Sequence, residues 1–486
     1  MRISISVRAT LVAVLTAGGA LAGVGLGPAA AQEGPPQTGF EESNGANWTT
    51  HQQELDFLAA VDAGSDRVEI EEIGRTLQNR PLHLVKVGHP TPRDVEGAQD
   101  EPTVLFVCSQ HGNEPAGREA CLKALRDLAF TTDPTLVDQL SNMTFLFVPS
   151  ANPDGRNANS RGNSQGVDIN RDHMGLATRE ARAMAAVVRD WKPDMSIDLH
   201  EYGPSQPVVY DDDVLYLWPR NLNVERQVHD LAKDYILSHV EPCVEAAGYT
   251  ADEYGQQAVA DTNVAQTAGD HDDGIMRNAM GLRHSLGILF ETAVSMSDNP
   301  TQLPNEVGST PAQQRRRVDS HRTIVECTFT YLRTKGEQVR QATATAPLRM
   351  EGEGQAQNVP AYFGGADNMT PTASQTVYPP PCYYRLTPAQ AATAATAMAL
   401  HGIETVERDG EIHVPVGQAA EPVIPLLLDA RGSREIVQAT AVGGLPLDKA
   451  CRLPKPWDDP APMAGSALVA GALALGLALR RRKSTA

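Results

Sequence analysis

His111-Gly-Asn-Glu114 is the first stretch of this 486-residue chain whose residue types and spacing could do chemistry. An imidazole and a carboxylate three residues apart can converge on one metal ion. They follow the apolar run Thr103-Val-Leu-Phe-Val107, which reads as a buried strand from its continuity and β-branched content. Loops at the carboxyl ends of strands are where open α/β sheets place their ligands. His200 follows a second stretch that reads as a strand, residues 194–199, and Glu291 directly follows a third, the apolar residues 286–290. Two histidines and a carboxylate with an open fourth position make a catalytic zinc site, since a structural one would more often use cysteine. Zinc held this way lowers the pKa of a bound water to about 7 and polarises a carbonyl. Glu291 is then the candidate base for the water's proton. Taken singly, a His-x-x-Glu pair is a surface feature more often than a ligand pair, and Glu291 alone could be a segment cap. The combination carries the reading.

Arg161 and Asn170-Arg171 lie on a polar loop that would face the same sheet edge. A guanidinium offers a planar fork to a carboxylate. Two of them beside a hydrolytic zinc imply a substrate with a free carboxyl end, or an anionic transition state.

Three strand ends must therefore meet, and the elements between them are of the right kind. Residues 68–73 and 82–87 read as paired antiparallel strands, 143–148 as a further strand, and 178–191 and 224–240 as helices. Repeated strand–loop–helix units predict an α/β domain with a mixed, largely parallel sheet flanked by helices, over residues 48–340. The composition of residues 341–358 predicts a linker, and 359–455 a small α+β module for packing, substrate exclusion or interaction. The triplet Asp211-Asp-Asp213 reads as a solvated loop rather than a calcium site.

The ends of the chain carry targeting signals. Residues 1–31 read as a signal peptide with a small-residue site at Ala29-Ala-Ala31, followed by a flexible leader over 32–47. Residues 463–479 form an apolar run at the lower limit for a bilayer span, and Arg480-Arg-Arg-Lys483 within the tail 480–486 suits a cytoplasmic stop. These features predict export and tethering to the extracellular face of the membrane by a C-terminal helix. Six cysteines suit an oxidising compartment; a Cys382–Cys451 bridge would tie the module's ends together, although spacing alone leaves the connectivity open. The net charge of -19 argues against a nucleic-acid partner.

The motifs His111-Gly-Asn-Glu114, Asn152-Pro-Asp-Gly155, Gly166-Val-Asp168-Ile-Asn170-Arg171, Asp198-Leu-His200-Glu201 and Leu289-Phe-Glu291-Thr occur in an order that resembles the zinc carboxypeptidases of the carboxypeptidase A type. The resemblance covers residues 48–335. It implies one Zn2+ per catalytic domain, held by His111, Glu114 and His200, with Asp168 orienting His111. It makes Glu291 the general base and later the proton donor. Asn170 and Arg171 would bind the terminal carboxylate of a peptide or protein, and Arg161 would polarise the scissile carbonyl. The resemblance thins where that family carries its substrate-capping tyrosine: Tyr254 comes early, and His271 or Arg277 stands nearer. Room for a long folded propeptide is lacking, so activation by its removal is not expected. The implied function is C-terminal peptide-bond hydrolysis. A related zinc amidohydrolase acting on cell-wall peptides or N-acyl amino acids is the alternative. A non-enzymatic binding protein would have lost a ligand or the base, and a serine or cysteine hydrolase finds no supporting motif.

Overall fold

The computed structural model describes residues 34–203, 210, 212–255, 269–294, 310–443 and 451–454. The expected signal peptide, residues 1–31, lies outside them.

Eight strands form one sheet: β1 (Val68–Arg75), β2 (Pro81–Val87), β3 (Thr103–Cys108), β4 (Thr144–Val148), β5 (Met195–Tyr202), β6 (Val214–Leu217), β7 (Ala251–Glu253) and β8 (Leu286–Ala293). Their order is β1-β2-β4-β3-β5-β8-β6-β7. The central strands β4, β3, β5 and β8 run parallel, while β1, β2 and β6 pair antiparallel towards the edges. The mixed, largely parallel sheet read from the sequence is borne out.

Both faces of the sheet are covered, as parallel strands require. Val104, Phe106, Phe145, Phe147, Ile197 and Ile288 pack on one side with the Ala116–Phe130 helix and the long Pro311–Ala356 helix. Phe329 of the long helix meets Phe145 and Phe106 edge-on, with ring centroids 4.9 Å and 6.0 Å away. Leu105, Val107, Leu146 and Val148 face the opposite side and the Arg179–Trp191 helix, which presents Ala181, Met184, Ala185 and Val188. That helix starts where the Thr178 hydroxyl accepts a bond from the Ala181 N–H, filling one of the unsatisfied donors of a first turn.

Four expectations need correction. Residues 341–356 are not a linker but the last third of the Pro311–Ala356 helix. The small residues that suggested flexibility instead permit close approach: a Cβ on Gly354 would lie 2.7 Å from the Val416 carbonyl oxygen. The leader is ordered from residue 34 onward. Thr38 and Glu41 form a capping box, and Phe40 stacks on Trp48 with centroids 5.0 Å apart. The helix read over 224–240 is α-helical only across Arg226–Tyr235, after which one wider turn spans Ile236–Val240. Asp213 is buried and held by Arg316 at 2.7 Å, so the acidic triplet ends in a structural ion pair.

The membrane tether on the extracellular face is overturned as well. No helix among the described residues is long and apolar enough to cross a membrane, and residues 463–479 lie outside them. Pro311–Ala356 has the length but carries Arg316, Asp319, Arg322, Glu326, Arg333 and Glu337. Charges so dense belong in water, so this length serves packing and not a bilayer.

Residues beyond the long helix build a four-stranded antiparallel sheet, ordered Val406–Arg408, Glu411–Pro415, Tyr383–Leu386, Thr440–Val442, beside the Pro388–Leu400 helix. Cys382 is bonded to Cys451, and further bridges join Cys108 to Cys121 and Cys243 to Cys327. This module docks on the α/β domain through polar contacts: His401 Nε2 donates to the Met174 carbonyl at 2.9 Å, and Arg434 pairs with Asp272 at 3.1 Å.

Candidate metal centre and substrate cavity

Strand register sets the centre. His200 lies directly across from Glu291 in the parallel β5–β8 pair, so both side chains leave the same face of the sheet. Asp198 and Leu289, two residues earlier on their strands, share that face. Cys108, the last residue of β3, pairs with Leu199, which brings the loop after β3 alongside His200. Ser109 turns that loop through a left-handed conformation, φ 56°.

The loop is seated backbone on backbone. A Cβ on Gly112 would come within 1.9 Å of the Gly155 carbonyl carbon, and Arg156 Nη1 donates to the Gly112 carbonyl at 2.8 Å. Asn152 accepts from the Gly155 N–H at 2.8 Å and donates to the Gln110 carbonyl at 3.0 Å. The two glycine-containing motifs are thus halves of one mount for His111. Gly112→Ala has no room to relax without separating them. It is expected to cost about 1–3 kcal/mol of stability and to weaken zinc binding, read from a thermal melt and the zinc content of the purified chain.

The ligand atoms of His111, Glu114 and His200 all lie within 4.8 Å of one another. His111 Nδ1 is 2.8 Å from Glu114 Oε1, His200 Nδ1 is 2.8 Å from Glu114 Oε2, and the two Nδ1 atoms are 3.0 Å apart. Each Nε2 is turned away and held by a carboxylate, His111 by Asp168 at 3.1 Å and His200 by Asp198 at 2.9 Å. Such partners fix ring orientation and raise basicity at the nitrogen left for the metal. Burial alone would lower the His200 pKa, but Asp198 and Glu114 raise it well above its ordinary value. Burial pushes the Glu114 carboxyl up, yet His200 and His111 outweigh that and bring it to about 2. Asp168 is likewise held well below its usual range, with His111 and Arg161 overcoming burial. Three carboxylates turned on two imidazoles call for positive charge between the Nδ1 atoms, and a divalent cation fits this donor set.

A cavity of about 850 Å³ opens over these groups, lined by His111, Glu114, Arg161, Asn170, Arg171 and Glu291. Burial pushes the Glu291 carboxyl up to about 7, with His200 and His111 opposing the shift and Glu114 adding to it. Arg161 grips Asp168 Oδ2 through Nε and Nη2 at 3.0 Å and 2.9 Å, and its Nη1 reaches to 3.1 Å from His111 Nδ1. Arg171 donates to the Asn170 carbonyl at 2.8 Å and approaches Asp272 at 3.6 Å. Asn170 differs from expectation in part. Its Nδ2 donates to Asp198 at 3.1 Å and its Oδ1 accepts from the Met276 N–H at 2.8 Å, so its amide also braces the centre.

Of the candidate residues read from the sequence, His111, Glu114, Arg161, Asn170, Arg171 and Glu291 line this cavity, and His200 and Asp168 stand behind them against His111. Asp198 escaped that reading, although its position two residues before His200 in an apolar strand was a usable signal. Trp48, Tyr210 and Arg317 also line the cavity, from distant segments with no local motif. Arg317 pairs with Glu201 at 3.0 Å and lies over the Trp48 ring. Tyr254 lines the wall beside Tyr210, and Glu291 together with burial raises its hydroxyl pKa. Of the pair His271 and Arg277, Arg277 lines the cavity; the His271 carbonyl accepts from Asn221 at 2.8 Å.

A family model described as zinc carboxypeptidase matches residues 55–307. Carboxypeptidase 2 of Trichophyton equinum is 33% identical over 190 residues, which cover 37% of this chain and 35% of that protein. Carboxypeptidase D of Homo sapiens is 29% identical over 163 residues, covering 29% of this chain and 11% of that one. The match thus spans about a third of the first of these relatives. Among solved structures, a metallo-carboxypeptidase from Burkholderia cenocepacia has a TM-score of 0.45 and 20% identity, over 60% of this chain and 71% of that chain. With more than half of its residues matched by the family model, the chain belongs to the zinc carboxypeptidase family.

Proposed function

We propose that this protein is a zinc-dependent metallocarboxypeptidase that hydrolyses the last peptide bond of peptides and proteins bearing a free C-terminus. One observation carries the reading: three ligand atoms lie within 4.8 Å of one another, and two of their residues, His111 and Glu114, line the same cavity as Glu291 and Arg171. His111 Nδ1, Glu114 and His200 Nδ1 would hold the ion. When bound, zinc supplies Lewis acidity to the scissile carbonyl and to the attacking water.

The chain's own residues supply the rest. Arg171 pairs with the terminal carboxylate, with Asn170 beside it, and this sets the distance from chain end to scissile bond. Arg161 donates N–H bonds where negative charge grows on the carbonyl oxygen. Glu291 takes the proton from water and returns it to the departing amine nitrogen. Its raised pKa suits both tasks, because a group near neutrality both accepts and donates.

The two arginines separate kinetically. Arg171→Ala is expected to act mainly through KM, and Arg161→Ala mainly through kcat, each by roughly 10–100-fold. The test uses the zinc-loaded chain with a peptide carrying a free or an amidated C-terminus. Stepwise release of single terminal residues from the free form alone supports the proposal. Equal cleavage of the amidated peptide, or cleavage of N-acyl amino acids without peptide trimming, rejects it.

A further inference from the structure

Gln110 stands directly before His111 in the chain, is fully buried and does not line the cavity. A buried amide needs partners for its polar atoms, and this one has them. Its Nε2 donates to Asp198 Oδ1 at 2.7 Å and lies 3.3 Å from Met276 Sδ. Its Oε1 lies 2.6 Å from His173 Nε2. A carboxylate only accepts, so the amide nitrogen faces Asp198 and the amide oxygen is left for His173. His173 must then carry a proton on Nε2. Burial lowers its pKa to about 4, so the ring is neutral at pH 7 and gives that one proton to Gln110.

The two oxygens of Asp198 are divided between different partners. Oδ2 is 2.9 Å from His200 Nε2 and accepts from Asn170 Nδ2 at 3.1 Å, while Oδ1 accepts from Gln110. The last torsion of an aspartate is soft, so a carboxylate gripped at one oxygen can turn, and a grip on both stops it. One short segment, residues 168–173, supplies this support on every side. Asp168 reaches His111, Asn170 reaches Asp198 Oδ2, and His173 holds the amide that reaches Oδ1. The segment is itself tied down where the His173 N–H meets the Gly274 carbonyl at 3.1 Å.

We infer that Gln110 is a positioning residue for the metal centre: backed by His173, its amide keeps Asp198 turned so that Oδ2 meets His200 Nε2, and this aims His200 Nδ1 at the ion. The inference rests on the zinc reading of the centre. The bonds run from His173 to Gln110, from Gln110 to Asp198 and from Asp198 to His200, and they end on a ring whose free nitrogen is a ligand atom. Partners of this kind fix the orientation of a metal-binding imidazole. Gln110 does not reach the cavity, so its loss acts on the affinity for zinc and on kcat. KM, set by Arg171 and its neighbours, is spared.

The experiment measures zinc affinity of the full chain by competition with a chelating dye, so it does not depend on turnover. Gln110→Met keeps the side chain's length and removes both amide bonds. Its zinc affinity is expected to fall about 10–100-fold, with kcat down at least about tenfold and KM within about threefold of wild type. His173→Phe leaves Gln110 in place but unbraced, and is expected to lose at least about threefold in affinity. If Gln110→Met fails to fold, His173→Phe decides in its place. A residue that acts through Asp198 has nothing left to do once Asp198 is changed. Gln110→Met added to Asp198→Asn is therefore expected to weaken zinc by less than about threefold more, whereas general loosening of the fold would add both losses in full. Wild-type affinity in both single variants, losses that add in full, or an effect confined to KM overturns the inference and leaves the zinc reading standing. A wild-type chain that takes up no zinc rejects the metal reading, and the inference with it.

Discussion

Glu291→Gln is expected to lower kcat by roughly a thousandfold or more while leaving zinc content and peptide binding near wild type. The amide keeps the shape of the carboxyl and can neither take the water's proton nor return it to the amine. Glu291 is not one of the three converging ligands, so the ion has no reason to leave. The same residue governs the acid limb of the pH profile. Its base form does the work, and burial pushes its pKa up to about 7, so kcat/KM rises as pH increases through that limb. A bound cation acts in the opposite direction to desolvation, which places the limb at or below about 7 in the loaded protein. The residual activity of Glu291→Gln should lack this limb. An unchanged limb in the variant, or turnover within tenfold of wild type, would assign the proton transfers elsewhere.

How far the sequence could be read depended on whether a signal was local. β3, β4 and β8 announced themselves as mostly apolar runs, because strands buried on both faces have few polar positions to interrupt them, whereas β5 alternates polar and apolar residues. His200 and Glu291 were visible because each stands near the carboxyl end of a strand. Asp198 sits inside one, and it is 0% exposed because His200, Asn170 and Gln110 all bond to it. Its polarity was the clue, and only the alternation Ser196, Asp198, His200 against Ile197 and Leu199 shows that one face of β5 belongs to the site. Trp48 and Arg317 meet across hundreds of residues, and no window of sequence contains their contact. The long helix was hidden for a different reason. Ala342, Ala346 and Gly354 are small so that neighbours can come close, and a composition rich in small residues looks the same in a linker. Asp272 lies between Arg171 and Arg434, so the C-terminal module reaches the loop that leads to Arg277. That link is invisible without the fold.

His200→Ala is the stricter test of the metal centre. Two ligands would remain, on one short loop, and Asp198 and Glu114 would lose the group that both of them bond. Zinc in the purified full chain is expected to fall from one equivalent to about a tenth or less, with peptide hydrolysis lost in parallel. Thermal melts supply a readout independent of turnover. An ion that binds only the folded chain stabilises it by about 2.7 kcal/mol at a hundred times its dissociation constant, so added zinc should raise the melting temperature of metal-stripped wild type. The same addition should leave His200→Ala unmoved. Asp198→Asn makes the graded control. It keeps all three ligands and removes only the charge behind His200 Nε2, and its zinc affinity is expected to drop by roughly 10–100-fold. A wild-type melt insensitive to zinc would remove the metal from this site. A His200→Ala melt that rises as much as wild type would place it on other residues.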